Sequence, residues 1–296
     1  MRKGDKIALV CCSNGQPASG RLGLLKLRDK LTELGLVPVF GDYIFEKDSV
    51  FSGSGRERAD SLMKFYRDQE IKAIFDISGG DIANEILPYL DFDSIADSGK
   101  MFWGYSDLTT IINAIYTRTG CQSVLYQIKN IVLEDSENQS LHLKETILEG
   151  KETLFRIPFS FLQKEKMQGI VVGGNIRCLL KLAGTKYWPD MNGKILLLEA
   201  RSGGVPQMVA YLNQLQQIGV FEKIAGILLG TYTEMEKTGA EPNIVDLIKQ
   251  YAREELPIAY TSKIGHGSDS MGIVIGRNYE FKGCGRYGEN FKMCLK

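Results

Sequence analysis

The chain has 296 residues, with Lys plus Arg balancing Asp plus Glu at 36 each and a 44% hydrophobic fraction. That balance excludes a polyanion-binding surface as the organising feature, so no nucleic-acid partner is expected. The length exceeds one usual hydrophobic core, which predicts one large or two medium domains.

In chain order, Lys6 leads into Ile7-Ala8-Leu9-Val10-Cys11-Cys12, too short an apolar run for a membrane span and readable as a first buried strand. Residues 22–34 carry apolar side chains at helical spacing and stop at Gly35. A short apolar run at 37–40, a helix at 56–67 and a buried strand at 73–77 follow, the last broken by Ser78-Gly79-Gly80. A helix at 82–87 and a strand at 101–104 complete this rhythm. Alternation of this kind predicts a parallel sheet covered by helices, with ligands at the carboxyl ends of its strands.

Between about 147 and 166 the pattern changes to many charges without a clear period. A boundary there predicts an α/β protein: an N-terminal parallel-sheet α/β domain over 1–155, and a smaller C-terminal α/β or β-rich domain over 165–296. The second half reads as a strand at 169–172, the turn Gly173-Gly174-Asn175, a helix at 176–182, a strand at 194–198 and a helix at 207–218. A strand at 224–229, a helix at 244–254 and short β-like pieces at 271–275 and 279–281 close it. No signal-peptide pattern or long apolar run is visible, so a soluble, cytoplasmic protein with no membrane partner is expected. The six cysteines, Cys11, Cys12, Cys121, Cys178, Cys284 and Cys294, show no CxxC spacing and no clustering with histidine. Free buried thiols in a reducing compartment are expected, and no metal site.

The densest chemical signal is Gly104-Tyr105-Ser106-Asp107-Leu108-Thr109, where an apolar run ends and a helical pattern begins at once. Such a strand-to-helix turn holds a serine hydroxyl out of the sheet, with the next backbone N–H groups aimed at a developing oxyanion. A serine needs a base, and the chain has only His142 and His266. His266 lies between glycines in Ile264-Gly265-His266-Gly267, the mark of an exposed, shaped loop, whereas His142 reads as structural. Glu199 ends the run Ile195-Leu196-Leu197-Leu198 and is either the first solvated residue of a strand or the acid that orients the histidine. Gly79-Gly80 is either a turn needing positive φ or a second oxyanion donor beside the N–H of Asp107. The Asp107 side chain is expected to cap its own helix, and Asn175 is a candidate cap for the helix that follows it. Neither glycine loop fits G-x-G-x-x-G or the phosphate-loop pattern, so no cofactor is expected.

Taken together, these segments resemble the LD-carboxypeptidases, a serine-peptidase family that includes murein tetrapeptide carboxypeptidases and microcin C self-immunity peptidases. The resemblance spans nearly the whole chain and rests on Gly4-Asp5-Lys6-Ile7-Ala8, Ser13, Phe51-Ser52-Gly53 through Arg56-Glu57-Arg58-Ala59, and Ile77-Ser78-Gly79-Gly80 with Leu87-Pro88-Tyr89-Leu90-Asp91. Gly104-Tyr105-Ser106-Asp107-Leu108-Thr109, Gly173-Gly174-Asn175, Gly184-Thr185, Gly193 to Glu199 and Gly265-His266-Gly267 continue it. It implies a triad of Ser106, His266 and Glu199, an active site between the two domains, and commonly a homodimer. The implied substrate is a small peptide, a murein tetrapeptide losing its terminal D-alanine. Gly80 and Asp107 would supply the oxyanion N–H groups, and Gly79, Asp81 and Asn175 would line the substrate site. A free substrate carboxylate would find a partner in Arg201, Lys263 or Asn175.

The chain also departs from the family pattern. Ser78 replaces an arginine common in murein-cleaving members, and Asp81-Ile82-Ala83-Asn84 resembles the immunity branch. After Glu199 the chain reads Ala200-Arg201-Ser202, where the family often has another acidic residue. The 147–166 stretch is short beside the immunity enzymes. The alternative is an immunity-type peptidase acting on a peptidyl- or aminoacyl-nucleotide, with Trp103 or Trp188 stacking on the base or simply lying in the core. From another class, a catalytically silent peptide- or metabolite-binding protein is the competing reading.

Overall fold

Short strands of the first half, β1 (Lys6–Val10), β2 (Val37–Phe40), β3 (Ile71–Asp76), β4 (Met101–Gly104) and β5 (Ser123–Leu125), alternate with helices α1 (Arg21–Glu33), α2 (Gly55–Arg67), α3 (Phe92–Ser98) and α4 (Thr109–Thr119). The computed structural model describes residues 1–283 and the backbone of residues 294 and 295; Cys284 and the Cys294 side chain lie outside the described residues. The strands run parallel in the order β5-β4-β3-β1-β2, as the strand–helix alternation predicts. α2 starts on a capping box in which Ser54 and Glu57 satisfy each other's backbone N–H. The helix expected at 82–87 forms over residues 83–89 as a 3-10 helix, with Pro88 inside it. A proline has no N–H to give and crowds the residue before it, which disfavours an α-helix running past Leu87.

After α5 (Ser136–Leu148) the chain enters a second sheet through β6 (Ser160–Gln163) and β7 (Lys166–Asn175). Helix α6 (Ile176–Leu180), β8 (Ile195–Ala200), α7 (Val205–Gln217), α8 (Val220–Lys223), β9 (Gly226–Tyr232), α9 (Thr233–Thr238), α10 (Ile244–Tyr251) and β10 (Ile258–Tyr260) follow. Then come β11 (Ile273–Ile275), β12 (Asn278–Lys282) and β13 (Cys294–Leu295). The order β13-β12-β7-β8-β9-β10-β6 is parallel from β7 to β10 and antiparallel at its edges. β11 leaves this sheet and pairs antiparallel with β5, so the tail of the chain finishes the first sheet. Among the described residues, no helix is long and apolar enough to cross a membrane.

The two halves share a core. Along β8, Ile195 and Leu197 belong to the cluster that fills the first half, whereas Leu196 and Leu198 belong to the cluster of the second. A strand buried on both faces reads as an unbroken apolar run, which is why this segment shows no alternation in sequence. Period two then puts Glu199 on the face of Ile195 and Leu197, toward the first half. Trp103 packs against Phe75 and Phe155, with ring centroids 5.0 and 6.1 Å away, and is a core residue.

Candidate active site

The carboxyl end of β4 stops at Gly104, where a Cβ would meet Leu108 Cβ at 2.7 Å. Two residues later Ser106 sits at φ +56°, opening the short 3-10 turn 106–108 that feeds α4. A non-glycine residue in the left-handed region carries strain that the surrounding structure must hold. Here the strained turn lifts the Ser106 side chain clear of the sheet edge. Gly79 packs beside it, its ideal Cβ position 4.0 Å from Ser106 Cβ. Gly80 stands at φ +129°, and a side chain there would collide with that of Asn14.

Asp107 does not cap its own helix. Its carboxylate is fully buried and turns back: Oδ2 accepts from Ser13 Oγ (2.7 Å) and the Ala83 N–H (2.8 Å), and Oδ1 from Lys181 Nζ (2.5 Å). A buried charge is tolerated only when paired and hydrogen-bonded, which a first helical turn cannot supply by itself. Ser78 stiffens the neighbouring turn, its Oγ donating to Asp76 at 2.5 Å and accepting from the Ser13 N–H at 2.9 Å.

The second half faces this turn with His266 and Glu199. His266 lies on the loop after β10, Nε2 3.3 Å from Ser106 Oγ and Nδ1 2.9 Å from Glu199 Oε2. The last contact approaches off-axis, since neither atom has a well-aligned hydrogen-bond partner. The loop is shaped, as its glycines predict, but not exposed: the imidazole is 10% accessible and the Tyr105 ring packs edge-on at 4.6 Å between centroids. Glu199 is fully buried inside β8, which rules out the reading of a solvated strand end. Asn175, its cross-strand partner on β7, donates Nδ2 to Oε1 at 3.0 Å and caps α6 by accepting from the Cys178 N–H at 3.3 Å. Burial first, and then the Glu199 charge, push the phenols of Tyr105 and Tyr232 well above their ordinary value, so both stay neutral near that carboxylate.

In front of Ser106 lies a recess of about 260 Å³ lined by Gly80, Asp81, Asn175, Arg177, Arg201 and Ser202. Arg177 is ion-paired with Asp81 and donates to Gly80 O at 3.2 Å; Lys181 donates to Asp81 O at 2.7 Å. Sequence reasoning overlooked this pair, although two cations four apart on a helix opened by Asn175 share one face. Lys263 is ion-paired with Asp269 and does not line the recess. His142 lies on α5, away from these groups, as a partly buried structural residue. A larger, more apolar recess of about 530 Å³ between α1 and residues 40–47 holds none of this chemistry.

A serine hydroxyl, an imidazole and a buried carboxylate in sequential contact form a site able to carry acyl transfer through a serine ester. Comparison with known proteins agrees with that class. The family description "LD-carboxypeptidase N-terminal domain" matches residues 7–126, and "LD-carboxypeptidase C-terminal domain" matches residues 168–281. The "Probable murein peptide carboxypeptidase" of Bacillus subtilis strain 168 is 30% identical over 288 residues, covering 93% of this chain and 88% of that protein. The microcin C7 self-immunity protein MccF of Escherichia coli is 24% identical, covering 92% and 89%. A crystal structure of an MccF-like protein from Bacillus anthracis strain Ames matches with a TM-score of 0.85 at 26% identity, covering 100% of this chain and 97% of that one. The chain belongs to the LD-carboxypeptidase family.

Proposed function

We propose that the protein is a serine LD-carboxypeptidase that releases terminal D-alanine from a murein tetrapeptide, with Ser106, His266 and Glu199 as its triad. The observation that carries this reading is the contact chain from Ser106 Oγ through His266 to Glu199 Oε2, drawn from both halves of the molecule. Ser106 attacks the carbonyl of the L,D bond as His266 Nε2 takes its proton. Glu199 holds the ring with Nδ1 protonated and stabilises the imidazolium, and Asn175 holds Glu199. The N–H of Asp107, in the first turn of a helix, and that of Gly80, freed by its positive φ, donate to the oxyanion. His266 then protonates the departing amine of D-alanine, and water hydrolyses the acyl-enzyme. Asp81 and Asn175 belong to the wall against which the peptide lies, and Gly79, beside Ser106, borders it. As part of this proposal the enzyme works in the cytoplasm as a homodimer; light scattering on the purified protein measures the oligomer.

Incubation with a murein tetrapeptide and, separately, with an aminoacyl-sulfamoyl adenosine, followed by mass spectrometry, tests the assignment. Release of D-alanine with the nucleotide untouched is the expected result. Cleavage of the nucleotide alone moves the protein to the immunity-type activity. No turnover of either, with no serine-reactive probe on Ser106, leaves a binding protein.

A further inference from the structure

The terminal carboxylate of a peptide must be recognised if an enzyme is to cut only at the end, and burying it unpaired is costly. Three groups near the site have the chemistry for this, and their contacts separate them. Asn175 uses its side-chain amide on Glu199 and its carbonyl on the Cys178 N–H. Lys263 is paired with Asp269 and stands outside the recess. Arg201 lines the recess beside Ser106 and makes no ion pair among the described residues.

The surrounding charges sharpen the contrast. Arg177, the other guanidinium of the recess, is neutralised by Asp81, so Arg201 is its surplus positive charge. Further along, Gly203 N–H is committed to Glu234 Oε2 (2.7 Å) and Gly204 N–H to Gln207 Oε1 (2.9 Å). The Arg201 carbonyl accepts the Glu234 N–H at 3.1 Å, which anchors the backbone that carries the guanidinium. Lys129, whose Nζ donates to Gln16 Oε1 at 3.4 Å, is pushed below its ordinary pKa chiefly by burial, and the Arg201 charge adds to the push. Two cations therefore share this corner.

We propose that Arg201 is the specificity-determining residue that grips the free C-terminal carboxylate of the substrate, as a forked, two-N–H contact that a lysine cannot reproduce. This rests on the peptide-cleaving reading above and names how that site chooses chain ends.

Calorimetry on the Ser106→Ala protein, which binds without turnover, compares a murein tetrapeptide with its C-terminal amide. The free acid should bind about tenfold to a hundredfold tighter, the range for a charge-assisted contact. Adding Arg201→Gln should bring the acid down to the level of the amide and leave the amide unchanged, and Arg201→Lys should restore part of the preference. A far-UV circular dichroism spectrum and a melting temperature matching wild type check that the Arg201→Gln variant is folded. Equal binding of acid and amide, binding of neither, or a preference that survives Arg201→Gln overturns the proposal. A preference that follows Arg201 while the wild-type enzyme releases no D-alanine upholds the carboxylate grip and rejects the peptidase reading.

Discussion

The two halves contribute to the site by different physical means. The first half offers Ser106 through backbone geometry: a glycine-ended strand, a left-handed φ and a helix start fix the hydroxyl within a few residues. The second half offers Glu199 and His266 through side-chain contacts, a buried carboxylate on β8 and an imidazole on the loop after β10. Backbone geometry of this kind is specified within a few residues, and the packing around it holds the strain. A chain of contacts between remote segments exists only while the seam between the halves is closed. The distinction teaches that the proposed nucleophile and the proposed base can be broken separately.

Ser106→Ala breaks the first contribution alone. Turnover should fall by at least about 10⁴-fold, with the melting temperature little changed. Steady-state release of D-alanine and labelling by a serine-reactive probe measure it, and probe reaction at another serine in both forms would refute the assignment. Glu199→Gln breaks the second contribution. It keeps the shape but leaves His266 without its anion, so kcat should fall by about 10³-fold to 10⁴-fold. Unfolding by urea should show no loss of stability, because a buried charge has been removed.

The seam itself can be opened with Lys181→Met. Lys181 reaches from α6 to Asp107, so the variant leaves that carboxylate buried without its cation. The expected cost is about 3 kcal/mol in urea unfolding, the low end for a broken buried pair, and Lys181→Arg should recover much of it. Alkaline titration gives the smallest effect and sharpens the contrast. Burial raises the phenols of Tyr66 and Tyr126 in the first-half core, and of Tyr105 and Tyr232 at the seam. With the folded pKa above the unfolded value of about 10, their contribution is intact below that pH and declines above it. Urea midpoints should therefore hold steady up to about pH 9 and fall as the pH rises past about 10. Tyrosinate absorbance should show Tyr→Phe variants at 105 and 232 leaving the signal at about pH 10 unchanged, because burial and the Glu199 charge hold both phenols above that range; loss of that signal from either variant would show the seam open to solvent.

Much of the fold was legible because its signals are local. The apolar runs that became β1, β3, β4 and β8, and the turn at Ser106, each announce themselves within a few residues. Glu199 and His266 were legible as chemistry but not as environment. Only the register of β8 between two cores shows why Glu199 is buried and aimed at the first half. The partners of Asp107 were illegible, since Ser13, Ala83 and Lys181 are separated from it by 94, 24 and 74 positions. Two strands went unread in their sheets for the same reason. β6 and β11 are too short to show where they pair, and each joins its sheet as an antiparallel edge strand.

By itself, the sequence determined an α/β chain with a serine at a strand-to-helix turn and the residue types a serine needs. These follow from local backbone preference and periodicity, which act over a few residues. The tertiary structure decided that Glu199 is buried, that Asp107 faces Lys181 in place of its own helix, and that Arg201 is the cation left open beside Ser106. Those outcomes depend on which charges are desolvated together. Desolvation is set by packing between segments far apart in the chain.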